Sequence, residues 1–280
     1  MLSIFQRFKG RIVVITGAGS GIGRATAQAF AKHGARLHLV DIHAGRVEEA
    51  AAEARLLGPE AHAHVVDVRE PEAMERLAAE VFARHRRVDV LVNNAGVAHS
   101  ALIHETSLED WRWVLDVNLY GVIHGIHAFV PRLIDQGGRA HIVNTASLAG
   151  LVGVPSMAPY CASKFAVVGL SEALGAELAP HEIKVTAICP GMISTDIVRA
   201  GRMEGALGER RRGMIDLYDK RGMPPQRVAR DILRAVRSGA PVATTLGAGT
   251  AAVWLRRLSP RLYRRTANLA LSRIIGADRK

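Results

Sequence analysis

Alternation constrains this chain more than any single motif does. Short apolar runs rich in β-branched residues recur at Arg11–Ile15, Arg36–Val40, Ala61–Val66, Val88–Val92 and Ala140–Asn144. Helical patterns fill the intervals: one ending at Gly34, then Gly45–Leu57, Glu72–His85 and a long one over about Leu108–Gln136. Strand–helix–strand repetition predicts an α/β fold, a doubly wound parallel sheet with helices on both faces. In such sheets ligands bind beyond the strand C-termini, at the switch point. Asp41, Asp67, Asn94 and Ser147 each follow a strand end, so they should share one rim.

The first strand runs into Thr16-Gly17-Ala18-Gly19-Ser20-Gly21-Ile22-Gly23 and then a helix. In that context glycines let the backbone approach a pyrophosphate, and the helix N-terminus favours its charge. The spacing is T-G-x-x-x-G-x-G; Ile22 occupies the slot where G-x-G-x-x-G needs its last glycine. Asp41 ends the second strand about 20 residues on, where an acid can bind the adenosine ribose hydroxyls. A carboxylate there repels a 2′-phosphate. Ile42 brings no cation and Ser20 is not basic, so NAD is favoured over NADP; Arg24 and Arg46 are the residues that would overturn this. A helix N-cap is the structural alternative for Asp41.

Tyr160-Cys161-Ala162-Ser163-Lys164 carries the candidate chemistry. On a helix, Tyr160 and Lys164 lie one turn apart on one face. A cation about 4 Å from the phenol at an effective dielectric near 20 is worth roughly 4 kcal/mol. That would lower the phenol pKa by about three. Such a group can exchange the proton of an alcohol or carbonyl while a nicotinamide handles hydride, with no metal required.

Taken together, T-G-A-G-S-G-I-G at 16–23, Asp67-Val68, N-N-A-G at 93–96, Asn118 in V-N-L, Ser147, Y-C-A-S-K at 160–164, and Pro190-Gly191 with Thr195 resemble the short-chain dehydrogenase/reductase family in its single-domain form. The resemblance covers about residues 10–245. It implies a Rossmann-type, three-layer αβα sheet of about seven strands and a catalytic set of Asn118, Ser147, Tyr160 and Lys164. Tyr160 would move the proton, Lys164 would tune it and bind the nicotinamide ribose, Ser147 would hydrogen-bond the substrate oxygen, and Asn118 would hold a relay water. For the cofactor it implies Gly17, Ser20, Gly21, Ile22 and Gly23 at the pyrophosphate, and Asp67 and Val68 at the adenine. It places Asn94, Ala95 and Gly96 at the adenosine side, and Pro190, Gly191, Ile193 and Thr195 at the nicotinamide end.

The remaining features bound the reading. The net charge of +11 is concentrated in residues 251–280, which hold eight basic residues and Asp278, a net of +7. With no zinc-finger spacing or repeat, that asymmetry does not point to nucleic acid. Cys161 and Cys189 fit reduced thiols in a cytoplasmic protein, and the first ten residues lack a signal-peptide core. No contiguous apolar stretch of about 20 residues predicts a membrane span. His124 with His127, and His62 with His64, have no completing acid or cysteine, so no metal site is expected. Trp111 and Trp113 are expected to pack, near a subunit interface if the resemblance holds.

Residues 192–225 break the alternation and read as a substrate lid, mixing apolar residues with Arg199, Arg202 and Arg210–Arg212; the arginines fit a solvated face or contact with a substrate carboxylate. A helix from Pro224-Pro225 to about Ser238 and a last strand over Pro241–Leu246 complete a catalytic domain at 1–250. Beyond it, 251–280 forms a basic amphipathic extension with Tyr263, Ala267, Ala270 and Ile274 on one face. That helix suits an anionic membrane surface, its own subunit or a partner, and Leu2, Ile4, Phe5 and Phe8 could join its patch. The expected protein is an NAD-dependent oxidoreductase of a hydrophobic alcohol or ketone, assembled as a homodimer or homotetramer. An NADPH-dependent carbonyl reductase of the same fold, and a non-catalytic nucleotide-sensing or membrane-associated adaptor, are the alternatives.

Overall fold

The computed structural model describes residues 8–245 and 248–275. In chain order the elements are β1 (Ile12–Thr16), α1 (Gly21–Lys32), β2 (Arg36–Asp41), α2 (Ala44–Leu57), β3 (Glu60–Val65), α3 (Pro71–His85), β4 (Val90–Asn93), β5 (His99–Ser100), α4 (Leu108–Leu115), α5 (Gly121–Gln136), β6 (Ala140–Thr145), α6 (Ala158–Glu177) and β7 (Ile183–Cys189). There follow α7 (Ile197–Ala200), β8 (Arg202–Met203), α8 (Gly205–Gly208), α9 (Arg211–Arg221), α10 (Pro225–Ser238), β9 (Val242–Thr244), α11 (Ala248–Leu258) and α12 (Pro260–Ile275).

Seven strands form one parallel sheet in the order β3-β2-β1-β4-β6-β7-β9. The pairing register sets Val13 opposite Leu37 on one side of β1 and Val14 opposite Leu91 on the other. Because side chains alternate along a strand, β1 feeds two cores. Val13 and Ile15 pack with Ala27 and Phe30 of α1, Val47 of α2 and Ile232 of α10. Ile12 and Val14 pack with Met74 and Val81 of α3 and Phe129 and Leu133 of α5. This is the doubly wound, three-layer α/β fold expected, and the strand order reverses between β1 and β4, where the crevice lies.

The structure refines three sequence readings. The long helical pattern is one continuous run in which Asp116–Tyr120 winds as a π-turn between α4 and α5. That run, Leu108–Gln136, is long and apolar enough by length and composition to cross a membrane. Its Val114, Val122, Phe129 and Leu133 are nevertheless buried inside this fold. Phe8 is not available to a surface patch, because its ring meets Phe30 edge-on at 4.9 Å and it is buried. Leu2, Ile4 and Phe5 lie outside the described residues, as does Leu246 at the end of the expected last strand. Finally, the 192–225 segment, which breaks the alternation, has elements of its own: β8 pairs in parallel with β5, His99 to Arg202 and Ser100 to Met203, stitching it to the body.

Candidate active site

The turn after β1 is locked to the end of β4. Thr16 Oγ1 accepts from the Asn94 and Ala95 N–H groups at 2.9 and 3.1 Å. Asn94 Nδ2 donates to the carbonyls of Thr16 and Gly17 at 3.0 and 3.2 Å. Gly17 has a φ of +63°, and a Cβ there would lie 2.7 Å from Ala95 Cα. A Cβ on Gly23 would lie 2.1 Å from the Gly17 carbonyl oxygen, so these two positions admit only glycine. Ser20, at the N-cap of α1, makes no side-chain capping bond, and the first turn of α1 carries no acid. The backbone N–H groups of that turn, around Gly21, Ile22 and Gly23, therefore suit an anion. From the other side, Ile193 bridges to Met223, and Thr195 approaches so closely that a Cβ on Gly21 would lie 3.2 Å from its methyl.

Asp41, at the end of β2, faces the glycine turn. Its Oδ2 accepts from Gly19 N–H at 2.9 Å and its Oδ1 from His43 N–H at 3.0 Å. His43, not Asp41, occupies the N-cap of α2. Of the two cations that would favour a 2′-phosphate, Arg24 is engaged by Glu53 at 2.9 and 2.5 Å. Arg46 lies beside Gly19, where a Cβ would meet its own Cβ at 2.9 Å. Asp67 is held by the Arg69 guanidinium at 2.6 Å, which keeps its carboxyl below the usual range. Val68 is buried, and its carbonyl accepts from the His124 ring at 2.8 Å.

Tyr160 and Lys164 fall in the first turns of α6, as expected. Lys164 is 3% exposed; its Nζ donates to the Thr145 carbonyl at 2.9 Å and lies 5.7 Å from the Tyr160 ring centroid. Ser147 follows β6, its Oγ accepting from Ala149 N–H at 3.1 Å, and Leu148 N–H donates to the Pro190 carbonyl at 2.8 Å. That last bond fixes Pro190 and Gly191 beside Ser147. Asn118 is wholly buried in the π-turn: Oδ1 accepts from Val97 N–H at 2.8 Å, and Nδ2 donates to the Val97 carbonyl at 3.0 Å and Ser163 Oγ at 3.3 Å. A Cβ on Gly96 would lie 3.1 Å from Asn118 Oδ1 and 3.6 Å from Lys164 Nζ, so glycine keeps the space between them open.

The electrostatics differ from the expectation of a lowered phenol pKa. Burial pushes Tyr160 up to about 12, with a hydrogen bond to Ser147 opposing it. Burial also pushes Lys164 down to about 8. Desolvation outweighs the neighbour because it acts on both charged forms at once, and the ammonium is turned to the Thr145 carbonyl. Cys161 and Cys189 are both free and buried; burial raises both thiols, Cys189 to about 12, which leaves neither poised as a nucleophile.

Several neighbours escaped the sequence reading. Tyr218 on α9 is close enough to Tyr160 for its charge to raise the Tyr160 pKa, which brings the 192–225 segment near the first turn of α6. Arg202 joins the 192–225 segment to α4 through Asp110 at 2.9 Å and stacks over Trp113 at 4.3 Å, while Arg199 pairs with Asp219 at 2.5 Å. Both arginines are thus engaged by acids of this chain. A cleft of about 350 Å³ is lined by Gly21, Ser194, Thr195 and Pro225, and one of about 410 Å³ by Arg69, Asp116, Tyr120 and His124. They flank the rim, and neither is lined by Tyr160.

His124 and His127 do not form a ligand pair, since His127 faces Glu75 at 3.4 Å. The structure groups His62 with Glu60 and His85, and His99 with Asp110 and Glu204, each set within 4.8 Å. Each set is completed from a distant element, His85 on α3 in the first and Glu204 in the second, so local spacing alone does not assemble it. Both sets are already tied internally, His62 to Glu60 at 2.6 Å and Asp110 to Arg202.

Comparison with known proteins agrees with this geometry. Residues 11–204 match the family model for short chain dehydrogenases. The chain is 39% identical over 269 residues to a Mycobacterium tuberculosis protein named "Probable oxidoreductase EphD", covering 94% of this chain and 45% of that protein. The chain thus spans about half the length of the first curated relatives it matches. It is 35% identical over 242 residues to the C alpha-dehydrogenase of Sphingobium sp., covering 83% of this chain and 79% of that one. A short-chain dehydrogenase/reductase from Burkholderia phymatum, solved in complex with NAD, superposes with a TM-score of 0.85 at 34% identity, covering 91% of this chain and 95% of that one. The chain belongs to the short-chain dehydrogenase/reductase family of oxidoreductases.

Proposed function

We propose that the protein is an NAD-linked dehydrogenase that interconverts an apolar alcohol and its carbonyl form. The observation that carries the reading is the convergence of Ser147, Tyr160, Lys164 and Asn118 on the rim that also bears the glycine turn and Asp41. NAD, when bound, supplies the hydride acceptor. Gly17, Ser20, Gly21, Ile22 and Gly23 would hold its pyrophosphate, Asp41 its adenosine ribose, Asp67, Val68 and Asn94–Gly96 its adenine side, and Pro190, Gly191, Ile193 and Thr195 its nicotinamide end. The open N-terminus of α1 and the glycine-only positions fit that group.

Tyr160 Oη takes the proton of the alcohol, or returns it to the carbonyl oxygen. Ser147 Oγ donates to the same oxygen as charge develops on it. Lys164 fixes charge beside the phenol, and Asn118 holds the turn of Val97 that frames the proton exit. Residues 1–250 form the catalytic unit, residues 192–225 its lid, and 251–280 an appended extension. The protein works as a homo-oligomer on a small-molecule substrate. A 2′-phosphorylated cofactor is the second reading, favoured by Arg46 beside Gly19.

Calorimetric titration with NAD and NADP separates the two cofactors: tighter NADP binding overturns the Asp41 argument. A panel of steroid, retinoid, fatty and short alcohols with NAD, followed by NADH absorbance, tests the reaction. Tyr160→Phe should keep NAD binding and lose turnover by about 10²–10⁴-fold. Unchanged turnover in that variant would end the mechanism, and nucleotide binding with no turnover on any substrate would favour the adaptor.

A further inference from the structure

The helix pair α11–α12 has one fixed face and one open face. On the inner face, the Arg256 guanidinium donates to the Leu151 carbonyl at 2.5 Å and lies 5.2 Å over the Phe165 ring. Tyr263 Oη donates to the Gly153 carbonyl at 2.7 Å. Leu255, Tyr263, Ala267 and Leu271 are half-buried along this side. The pair therefore rests on the segment between Ser147 and α6, and α12 reaches α8 of the lid.

That docking fixes what the other face shows. Trp254 is 57% exposed, Leu258 81%, Leu262 47% and Leu269 60%. Leu262 and Leu269 are two turns apart on α12, opposite Tyr263 and Ala267. Arg257 lies 5.9 Å from the Trp254 ring, and Arg261 and Arg265 sit three or four residues from Leu258, Leu262 and Leu269; all three are exposed. Residues 248–275 contain no Asp or Glu. Elsewhere on the described surface the exposed large apolar residues are scattered among acids and bases; here they form a row inside a wholly basic frame.

We propose that the outer face of α11–α12 docks on an anionic lipid bilayer, with Trp254, Leu258, Leu262 and Leu269 entering the interface and the arginines meeting phosphate headgroups. Charge selects the occupant. A second copy would bring one acid-free arginine surface against another, whereas an anionic bilayer neutralises it. The apolar row supplies burial that a soluble anion could not use. The inference is independent of the cofactor and substrate reading, because vesicle binding needs no turnover.

The test uses the full chain sedimented with phosphatidylcholine vesicles and with vesicles containing phosphatidylglycerol. Binding is expected only with the anionic lipid, weakening in high salt, with a blue shift of the indole emission that is absent in Trp254→Phe. The double variant Leu262→Glu/Leu269→Glu should weaken binding at least tenfold while leaving the circular dichroism spectrum and NAD binding unchanged. Arg261→Glu/Arg265→Glu should do the same without touching the apolar row. Equal sedimentation with both lipids, or no loss in either double variant, overturns the proposal. So does a dimer in sedimentation velocity that Leu262→Glu/Leu269→Glu dissociates, which would give this face to a second copy.

Discussion

Titration of Tyr160 in the cofactor-free protein is the sharpest test of the site's electrostatics. The side chain pair on α6 suggests a phenolate stabilised by an ammonium, yet burial sets the phenol near 12 and the ammonium near 8. Relative to an ordinary tyrosine, the shift disfavours the phenolate by about 2.7 kcal/mol. At pH 8 only about one molecule in 10⁴ would carry it. The order of the two values matters as much as their size. As pH rises, Lys164 loses its proton first, so no cation remains when Tyr160 ionises. Ultraviolet difference titration of wild type against Tyr160→Phe isolates the Tyr160 phenolate band. The midpoint should lie well above 10, and Lys164→Met should leave it nearly unchanged, because the lysine is neutral there in any case. A midpoint below 10 in the cofactor-free wild type, shifted upward by Lys164→Met, would refute the argument that desolvation outweighs the ion pair.

Three further outcomes follow from other contacts. His38 is wholly buried between His64 at 2.8 Å and His85 at 2.9 Å, and burial with these neighbours holds it down to about 3. Its unfolded value is about 6.5, so the unfolded chain binds the extra proton: stability is full above 6.5 and falls as pH drops, by about 2.5 kcal/mol between pH 7 and 4.5. Urea melts should show this loss shrink in His38→Leu; equal losses would refute it. Gly23→Ala drives a Cβ into the Gly17 carbonyl and should weaken NAD binding at least tenfold by calorimetry. Arg202→Ala leaves the buried Asp110 without its cation and removes the stacking on Trp113. Because Arg202 is partly open to water, the expected cost is about 1–3 kcal/mol, read as a lower Tm and faster proteolysis within 197–221.

What the sequence disclosed tracks the range over which its signals act. Strands and helices of the sheet were legible because apolar periodicity is local and each element is long enough to show it. The glycine turn and the Tyr160–Lys164 spacing were legible for the same reason: a few adjacent residues specify a conformation. β5 and β8 were not, because each is two residues long and exists only through the other, about 100 residues away. The π-turn at Asp116–Tyr120 was hidden inside a pattern that reads as uninterrupted helix. Its insertion rotates Asn118 inward, where both ends of its amide meet the Val97 backbone.

The pKa of Tyr160 shows a different limit. Spacing along α6 correctly placed a cation beside a phenol, but the sign of the resulting shift depends on how much water surrounds the pair. That quantity is set by Ser147 after β6, by the α6 turn itself and by Tyr218 from α9, elements drawn from across the chain. A local motif can therefore place two titratable groups together without fixing their protonation. If α9 contributes to the desolvation, Tyr218→Ala should admit water and move the Tyr160 midpoint down toward 10 in the same difference titration, with Lys164 Nζ still on the Thr145 carbonyl. A midpoint unmoved by that substitution would assign the desolvation to the β6–α6 framework alone.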